Sequence, residues 1–421
     1  MTASQGLRQT GVGVWAMSLL GGDARSRIAV VTVWLGLLTP LALNEPRTRT
    51  QVLRSLLDPI AIARGVIPMI CLVGAALLLK PRLRPLKWRE ILLATFLGIN
   101  LISTLWSAYP AATILKSGAL IVNYALVMLL LDANTTSTDS FTRAVPVFAA
   151  VVLSSLIWLA VSPARALRPL TGPDQTPRLS GVFPAVNPNA LGYLAAACVL
   201  AALVFALAGK SKKVVLLAVA VATACFAALL LTRTRSAYAL LVVGGIYVIA
   251  GVWKPTSRRL LLGVLVSTAA VAVVIVVVDS SLIGFLTRHQ TGITTLTGRT
   301  LTWSDGIQQW EKSPLLGFGY YAGHRLALQS HPGAPEIDTL DNTWIEVLVD
   351  TGIVGVTPLI ALVGGSGWML WRHLPLARPR ISLVRQAAFI VCAIASLLSS
   401  SLESITYLGL LFAMVLFSDP P

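Results

Sequence analysis

Long apolar stretches separated by short clusters of charged residues dominate the chain from about residue 28 to its end. The apolar residues come in runs rather than in periodic stripes, and a run of about 17–25 residues is what a helix needs to cross a bilayer. The pattern predicts about twelve spans, at 28–43, 59–79, 91–106, 112–131, 144–161, 188–208, 214–231, 236–252, 260–278, 344–371, 386–401 and 403–417. The last pair can also be read as one bent hairpin. Residues 11–22 are apolar but short, without a small-residue cleavage site, so an interfacial helix is expected there in preference to a removable signal.

The one long interruption runs over 279–343, about 65 residues, which is longer than connectors usually are without a role of their own. Within it Trp303, Ile307 and Trp310 recur at helical spacing, predicting a short amphipathic helix suited to the membrane interface. Pro314 and Gly317 end it. Either a lid over an outward-facing site or a packing loop has this outline. The predicted fold is therefore an all-α, polytopic transmembrane helical bundle with one large extracytoplasmic loop carrying short helices. Its parts are a cytoplasmic N-terminal segment (1–27), spans one to nine (28–278), the loop (279–343), and the remaining spans with the C-terminus (344–421).

Composition narrows the class. Of 421 residues, 56% are hydrophobic and 12% charged, with mean hydropathy +0.78, against about 25% charged in soluble domains. A soluble enzyme, a disordered chain and a secreted disulfide scaffold are excluded. The net charge of +16 would suggest nucleic acid in a soluble protein; here it reads first as topology, and no nucleic-acid partner is expected. With an even number of spans, the connectors 80–90, 209–213, 253–259 and 372–385 share a face with both termini and Arg143. That face holds 19 of the 33 lysines and arginines, so the positive-inside rule makes it cytoplasmic. Cys71, Cys198, Cys225 and Cys392 fall inside apolar runs, and the four histidines are scattered; neither a disulfide framework nor a metal site is expected. The sequon Asn134-Thr135-Thr136 falls in a predicted cytoplasmic connector and reads as chance.

Candidate chemistry gathers where the chain crosses the outward face. Four stretches stand out: Arg178–Phe183 with Asn187, Pro188 and Asn189; Leu231–Ala237 with Arg233 and Arg235; Gly298-Arg299; and Asp341–Glu346 followed by Asp350–Gly355. An arginine at bilayer depth needs a partner. Arg178, Arg235 and Arg299 come from three separate segments and can converge on one anion, for which a guanidinium fork suits phosphate oxygens. A diphosphate at the outer surface fits such a cluster; snorkelling to headgroups is the competing reading, favoured for Arg233. Asn342, Glu346 and Asp350 share one helical stripe. They are either first-turn acids favoured by the helix dipole or, beside arginines, carboxylates placed for general-base work. Asp341 fits a base equally with an N-cap. Arg64 and Lys116 read as snorkelling or internally satisfied, Gly364–Gly367 as close helix packing, Gly317–Gly323 as a turn, and Glu403 as a partner for an arginine.

These elements, in this order, resemble the O-antigen ligase and O-antigen polymerase family of bacterial glycosyltransferases. The matching stretches are RLSGVFPAVNPNALG (178–192), LTRTRSA (231–237), GRTLTWSDGIQQWEKSPLLGFG (298–319) and DNTWIEVLVDTGIVG (341–355). The likeness covers roughly 178–371, and the first five spans match only in being hydrophobic. It implies a GT-C-type, inverting enzyme of the bacterial inner membrane, with its site facing outward and no metal or cofactor. Such enzymes move a glycan from a polyprenyl-diphosphate (undecaprenyl-type) carrier onto the hydroxyl of a glycan or glycolipid acceptor, in cell-surface polysaccharide assembly. Polymerisation of lipid-linked repeat units is the alternative within the family, and a lipid-linked oligosaccharide flippase or a non-catalytic scaffold the alternative outside it. In family members outward arginines hold the diphosphate, and Arg178, Arg235 and Arg299 sit at matching positions. The family usually has His-Asn where this chain has Asp341-Asn342. Aspartate is intrinsically the weaker base, so Asp341 serves in place of the histidine, or His331 or His324 from the same loop does.

Overall fold

The computed structural model describes residues 24–43, 59–81, 84–133, 140–168, 177–208, 211–252, 299–330, 339–372 and 379–417. In chain order the α-helices of five residues or more are α1 (Ala24–Ala42), α2 (Pro59–Leu79), α3 (Trp88–Ile102), α4 (Pro110–Ala133), α5 (Ser140–Val161), α6 (Pro188–Ala208), α7 (Lys212–Thr232) and α8 (Arg235–Val252). After these come α9 (Arg299–Trp310), α10 (Gly323–Ala327), α11 (Thr343–Arg372), α12 (Pro379–Ala395) and α13 (Tyr407–Phe417). The one sheet among the described residues is a two-residue antiparallel pair, Leu167–Arg168 against Arg178–Leu179.

Eleven of the twelve predicted spans overlap helices. Eight helices (α1 to α7 and α11) are long and apolar enough to cross a membrane, while α8, α12 and α13 are apolar but shorter. The chain is an integral membrane protein. Among the described residues, eight of the twelve expected spans are thus full-length candidates and three coincide with shorter apolar helices; the span expected at 260–278, the segment 11–22 and the sequon lie outside the described residues.

Helix α6 is the hub. It packs against α5, α7, α8, α12 and α13, and 72% of its spanning window is buried, against 22% for α7 and 17% for α2. Its sequence explains this, because Ala195, Ala196, Ala197, Ala201 and Ala202 let neighbouring helices come close. At one end of the bundle, Arg84 donates to both oxygens of Glu90 (2.7 and 3.0 Å) and to Asp132 (3.3 Å). Buried Arg89 donates to the carbonyl of Leu416 (2.6 Å). These bonds gather the start of α3 and the ends of α4 and α13, and they mark the face predicted to be cytoplasmic.

At the other end, the predicted single span 344–371 is a broken helix. Gly352 adopts φ 64° and ψ −163°, interrupting α11. A break frees backbone groups that must be paired wherever lipid or protein excludes water. The segment 313–319 pairs them: Phe318 N–H donates to Val349 O (3.1 Å) and Gly319 N–H to Asp350 O (2.8 Å), while Ile353 N–H reaches Pro314 O (3.0 Å) and Val354 N–H reaches Leu315 O (3.2 Å). Side chains at Gly317 (φ +62°) or Gly352 would collide with the backbone opposite. The Gly317–Gly323 segment is the turn expected of it, and its first residues also belong to a backbone latch. The helix expected at the membrane interface also finds a protein partner. Trp303 and Trp310 pack with Ala327, Leu328, Leu340, Ile345 and Val349, and their indole N–H groups donate to Leu340 O (2.9 Å) and Pro314 O (3.0 Å). Close packing at Gly364–Gly367 holds at Gly365, against Trp88, and at Gly367, against Phe389; Gly364 faces open space.

Candidate functional site

Helix starts build the site. Asn187 accepts the Ala190 N–H (2.7 Å), an N-cap that, with Pro188 next to it, begins α6. Two residues on, Asn189 Oδ1 accepts from Arg178 Nη2 (2.8 Å). The same guanidinium donates to Thr232 O (2.7 Å) and Thr234 Oγ1 (2.9 Å). Thr234 also donates to Pro188 O (3.0 Å), so the α7–α8 connector is laid across the start of α6. Gly192 makes this possible, since a Cβ there would stand 2.8 Å from that of Thr234. Arg178 is 3% exposed and braces three segments.

A second cluster lies one turn further along α6. Tyr193 and Ser236 share a hydroxyl hydrogen bond (2.8 Å), and the Tyr193 phenol also interacts with Arg299 and the Asp341 carboxylate. Arg299 donates to Asp341 Oδ2 from Nε (3.2 Å) and Nη2 (3.1 Å), and Thr339 donates to Asp341 Oδ1 (3.3 Å). Arg235 stands between Thr234 and Ser236 as the first residue of α8, next to both clusters. Arg233 adopts φ 51° as the C-cap of α7.

Four helix N-termini (α6, α8, α9 and α11) thus lie at this end of the bundle, and two of them begin with an arginine. A helix N-terminus carries about half a positive charge and disfavours a cation by roughly 0.3–1 kcal/mol. Dipoles and guanidinium groups together make a concentration of positive potential relieved by an anion. Asp341 partly fulfils that role, and at 38% side-chain exposure, against 17% for Arg299, it is open to solvent.

The stripe on α11 divides into three separate contacts. Asn342, not Asp341, is the N-cap, accepting from Trp344 N (3.0 Å) and Ile345 N (3.2 Å); Asp341, at φ 53°, turns its carboxylate to Arg299. Glu346 accepts from Leu340 N (2.7 Å) and from Ser400 Oγ (2.9 and 3.0 Å). Glu403 lies near it and accepts from Ser401 N (3.1 and 3.2 Å), so a carboxyl stands where an arginine was expected. Asp350 accepts from Tyr321 N (2.7 Å), His324 N (2.9 Å) and the His324 ring at Nδ1 (3.0 and 3.1 Å). His324 is therefore held about two helical turns from Asp341, outside the Arg299 cluster; His331 lies outside the described residues. Burial, with Glu403 and Asp350 nearby, pushes the Tyr320 phenol well above its usual range, leaving it a donor, here to Glu403 O.

Tyr193, Ser236, Thr232 and Thr234 were not among the residues singled out from the sequence. A usable signal existed, since Tyr193 follows Asn189 by four residues on one helix face. Among the described residues, no three His, Cys, Asp or Glu side chains are grouped so as to hold a metal ion.

Fold and site together define an integral membrane protein with arginines gathered among the starts of several helices at one end of the bundle. Residues 220–360 match the family model described as O-Antigen ligase, and the chain resembles that family as its motifs predicted. Three of the four quoted stretches lie within the matched residues, whereas 178–192 precedes them. The chain is also 33% identical over 114 residues to the exopolysaccharide production protein ExoQ of Rhizobium meliloti (strain 1021). That likeness covers 24% of this chain and 25% of the relative, so the chain spans about a quarter of the length of the curated relative it matches.

Proposed function

We propose that this chain is a membrane glycosyltransferase of bacterial cell-surface polysaccharide assembly, of the ligase type, with its site on the outward face of the inner membrane. Its donor is a glycan on a polyprenyl diphosphate and its acceptor a glycan or glycolipid hydroxyl. The acceptor oxygen attacks the anomeric carbon, and the bond from that carbon to the phosphate oxygen breaks with inversion. The electron pair leaves on polyprenyl diphosphate, and the hydroxyl proton passes to Asp341. Arg299 and Arg235, backed by the helix N-termini, stabilise the charge growing on the leaving group, an effect worth about 10²–10³ in rate per donor in comparable sites. Arg178 holds the frame that aims them.

The observation supporting this reading is that Arg299 pairs with the exposed carboxylate of Asp341, while Arg178 ties the start of α6 to the α7–α8 connector and Tyr193 joins α6 to the first turn of α8. The family match and the relative's role in exopolysaccharide production support the same chemistry. The test is purified protein with a lipid-linked glycan, following polyprenyl diphosphate release with and without acceptor. Release that depends on an acceptor and falls at least 100-fold in a normally folded Arg299→Ala protein is expected. Full activity in that variant removes Arg299 from the mechanism. Products that lengthen when the lipid-linked repeat is the only glycan supplied would replace the ligase reading with the polymerase one.

A further inference from the structure

We infer that Glu346 is a positioning residue for Asp341: it holds the Leu340 backbone, and through it the angle at which the Asp341 carboxylate is presented. That this carboxylate is the base rests on the transferase reading above. Both peptide planes beside Leu340 are held. Its N–H donates to Glu346 Oε1 (2.7 Å), and its carbonyl accepts from the Trp303 indole (2.9 Å). The second of these planes is the one about which the φ of Asp341 turns. On the far side of Asp341, Asn342 caps α11 and Thr343 N–H donates to Ser396 O (3.0 Å). Asp341 is thus a pivot between two anchored units.

The pivot needs holding because its conformation is costly. At φ 53° Asp341 lies in the left-handed region, and a residue with a side chain stays there only when its surroundings over-determine it. Release of Leu340 lets the turn relax towards ordinary backbone angles and swings the carboxylate away from Arg299. Trp303 and Arg299 both belong to α9, about one turn apart. The indole that sets the plane and the guanidinium that receives the carboxylate therefore sit on one rigid element.

Glu346 is placed to act through Asp341 and not on a substrate. It is 2% exposed, against 38% for the Asp341 side chain. Leu340 N–H and the Ser400 hydroxyl occupy its oxygens (2.7, 2.9 and 3.0 Å). Its own anchor is the α12–α13 connector, 396–406. Ser400, 54 residues beyond Glu346, supplies the hydroxyl, while Thr343 Oγ1 donates to Ser399 O (3.1 Å) and accepts from Ser401 N (3.0 Å). Tyr320 and Tyr124 in turn donate to the carbonyls of Glu403 and Leu402. The connector is in this way part of the mounting of Asp341.

The experiment measures acceptor-dependent polyprenyl diphosphate release by purified wild type, Glu346→Gln, Glu346→Ala, Asp341→Asn and the Asp341→Asn/Glu346→Ala pair. Hydrogen exchange at residues 339–342 is followed in each. Glutamine keeps an oxygen for Leu340 N–H and should retain kcat, KM and protection. Alanine should lower kcat by about 10²-fold, the size of effect that a displacement of about 1 Å can have, leave the donor KM unchanged and speed exchange at Leu340. A group that acts through Asp341 has nothing left to lose once that carboxylate is gone, so the pair should be no slower than Asp341→Asn alone. Additive losses overturn the proposal. So does a Glu346→Gln protein as slow as Glu346→Ala, which assigns the effect to the charge itself. Trp303→Phe fills nearly the same space without the indole N–H and stands in if Glu346→Ala does not fold; full kcat in that variant overturns the proposal. Wild type without any polyprenyl diphosphate release counts against the transferase reading alone. Exchange then decides the positioning, and equal protection of Leu340 in wild type and in the variant that releases it overturns the inference.

Discussion

Asp341 keeps a left-handed backbone (φ 53°) that aspartate and asparagine tolerate better than other side-chain-bearing residues, so its charge can be removed without disturbing its conformation. Asp341→Asn is expected to fold with a loss of no more than about 1 kcal/mol, because a half-exposed ion pair is worth little. Transfer should drop by about 10²–10⁴, the usual contribution of a general base. Undiminished transfer, measured as polyprenyl diphosphate release, moves the base to His324 or His331. Arg178 should behave in the opposite way. Truncation to alanine leaves Thr232 O, Asn189 and Thr234 without their donor in a buried place, at about 1–3 kcal/mol for each group left unpaired. A large loss of melting temperature in Arg178→Ala, beside a near-native one in Arg299→Ala, distinguishes the brace from the ligand; equal stability of the two sinks that division of labour. The arginines and Asp341 could be named from sequence because charge is conspicuous in an apolar chain. Ser236 could not, because a hydroxyl at a helix start is ordinary until its neighbour is known, and Tyr193 offered only its spacing from Asn189.

At the scale of elements, the broken helix and the 313–319 segment are a single device. Gly352→Ala forces a β-carbon against the Leu315 carbonyl in a left-handed conformation, a strain of order 1–3 kcal/mol before the clash is counted. Gly364→Ala, with nothing within 4 Å of its β-carbon, should be neutral or slightly stabilising. Melting of the two purified variants in detergent checks the contrast, and equal behaviour would mean the latch contributes nothing. The apolar run 344–371 concealed this break because hydropathy averages over a window and cannot register one φ angle. The pairing in 313–319 was invisible for a related reason, as its bonds run through backbone atoms that every residue type shares. Trp303 and Trp310 left two readings open, since an amphipathic face fits a membrane interface and a protein groove equally well until the groove is seen.

Across the whole molecule, Arg84 with Glu90 and Asp132 lies at one end of the helices, and Arg178, Arg299 and Asp341 at the other. Single cysteines placed in either end should therefore react with a membrane-impermeant thiol reagent from opposite sides: from outside at Gln308 and from inside at Lys87. The described structure keeps all four native cysteines buried, so they should remain silent. Labelling of both sites from one side would invert or abolish the proposed outward face. By itself the chain's pattern determined that it is an α-helical membrane protein, where most of its helices begin and end, and which segments concentrate guanidinium groups. Those follow from the cost of placing polar atoms in hydrocarbon, which is paid locally. Which residues meet was decided only in three dimensions: Asn189 with Arg178, Tyr193 with Ser236, Glu346 with Ser400, Lys116 and Arg325 with the ring of Tyr321. Contacts between distant segments depend on how the helices cross, and that is settled by small residues such as Gly192 acting together with every neighbour at once.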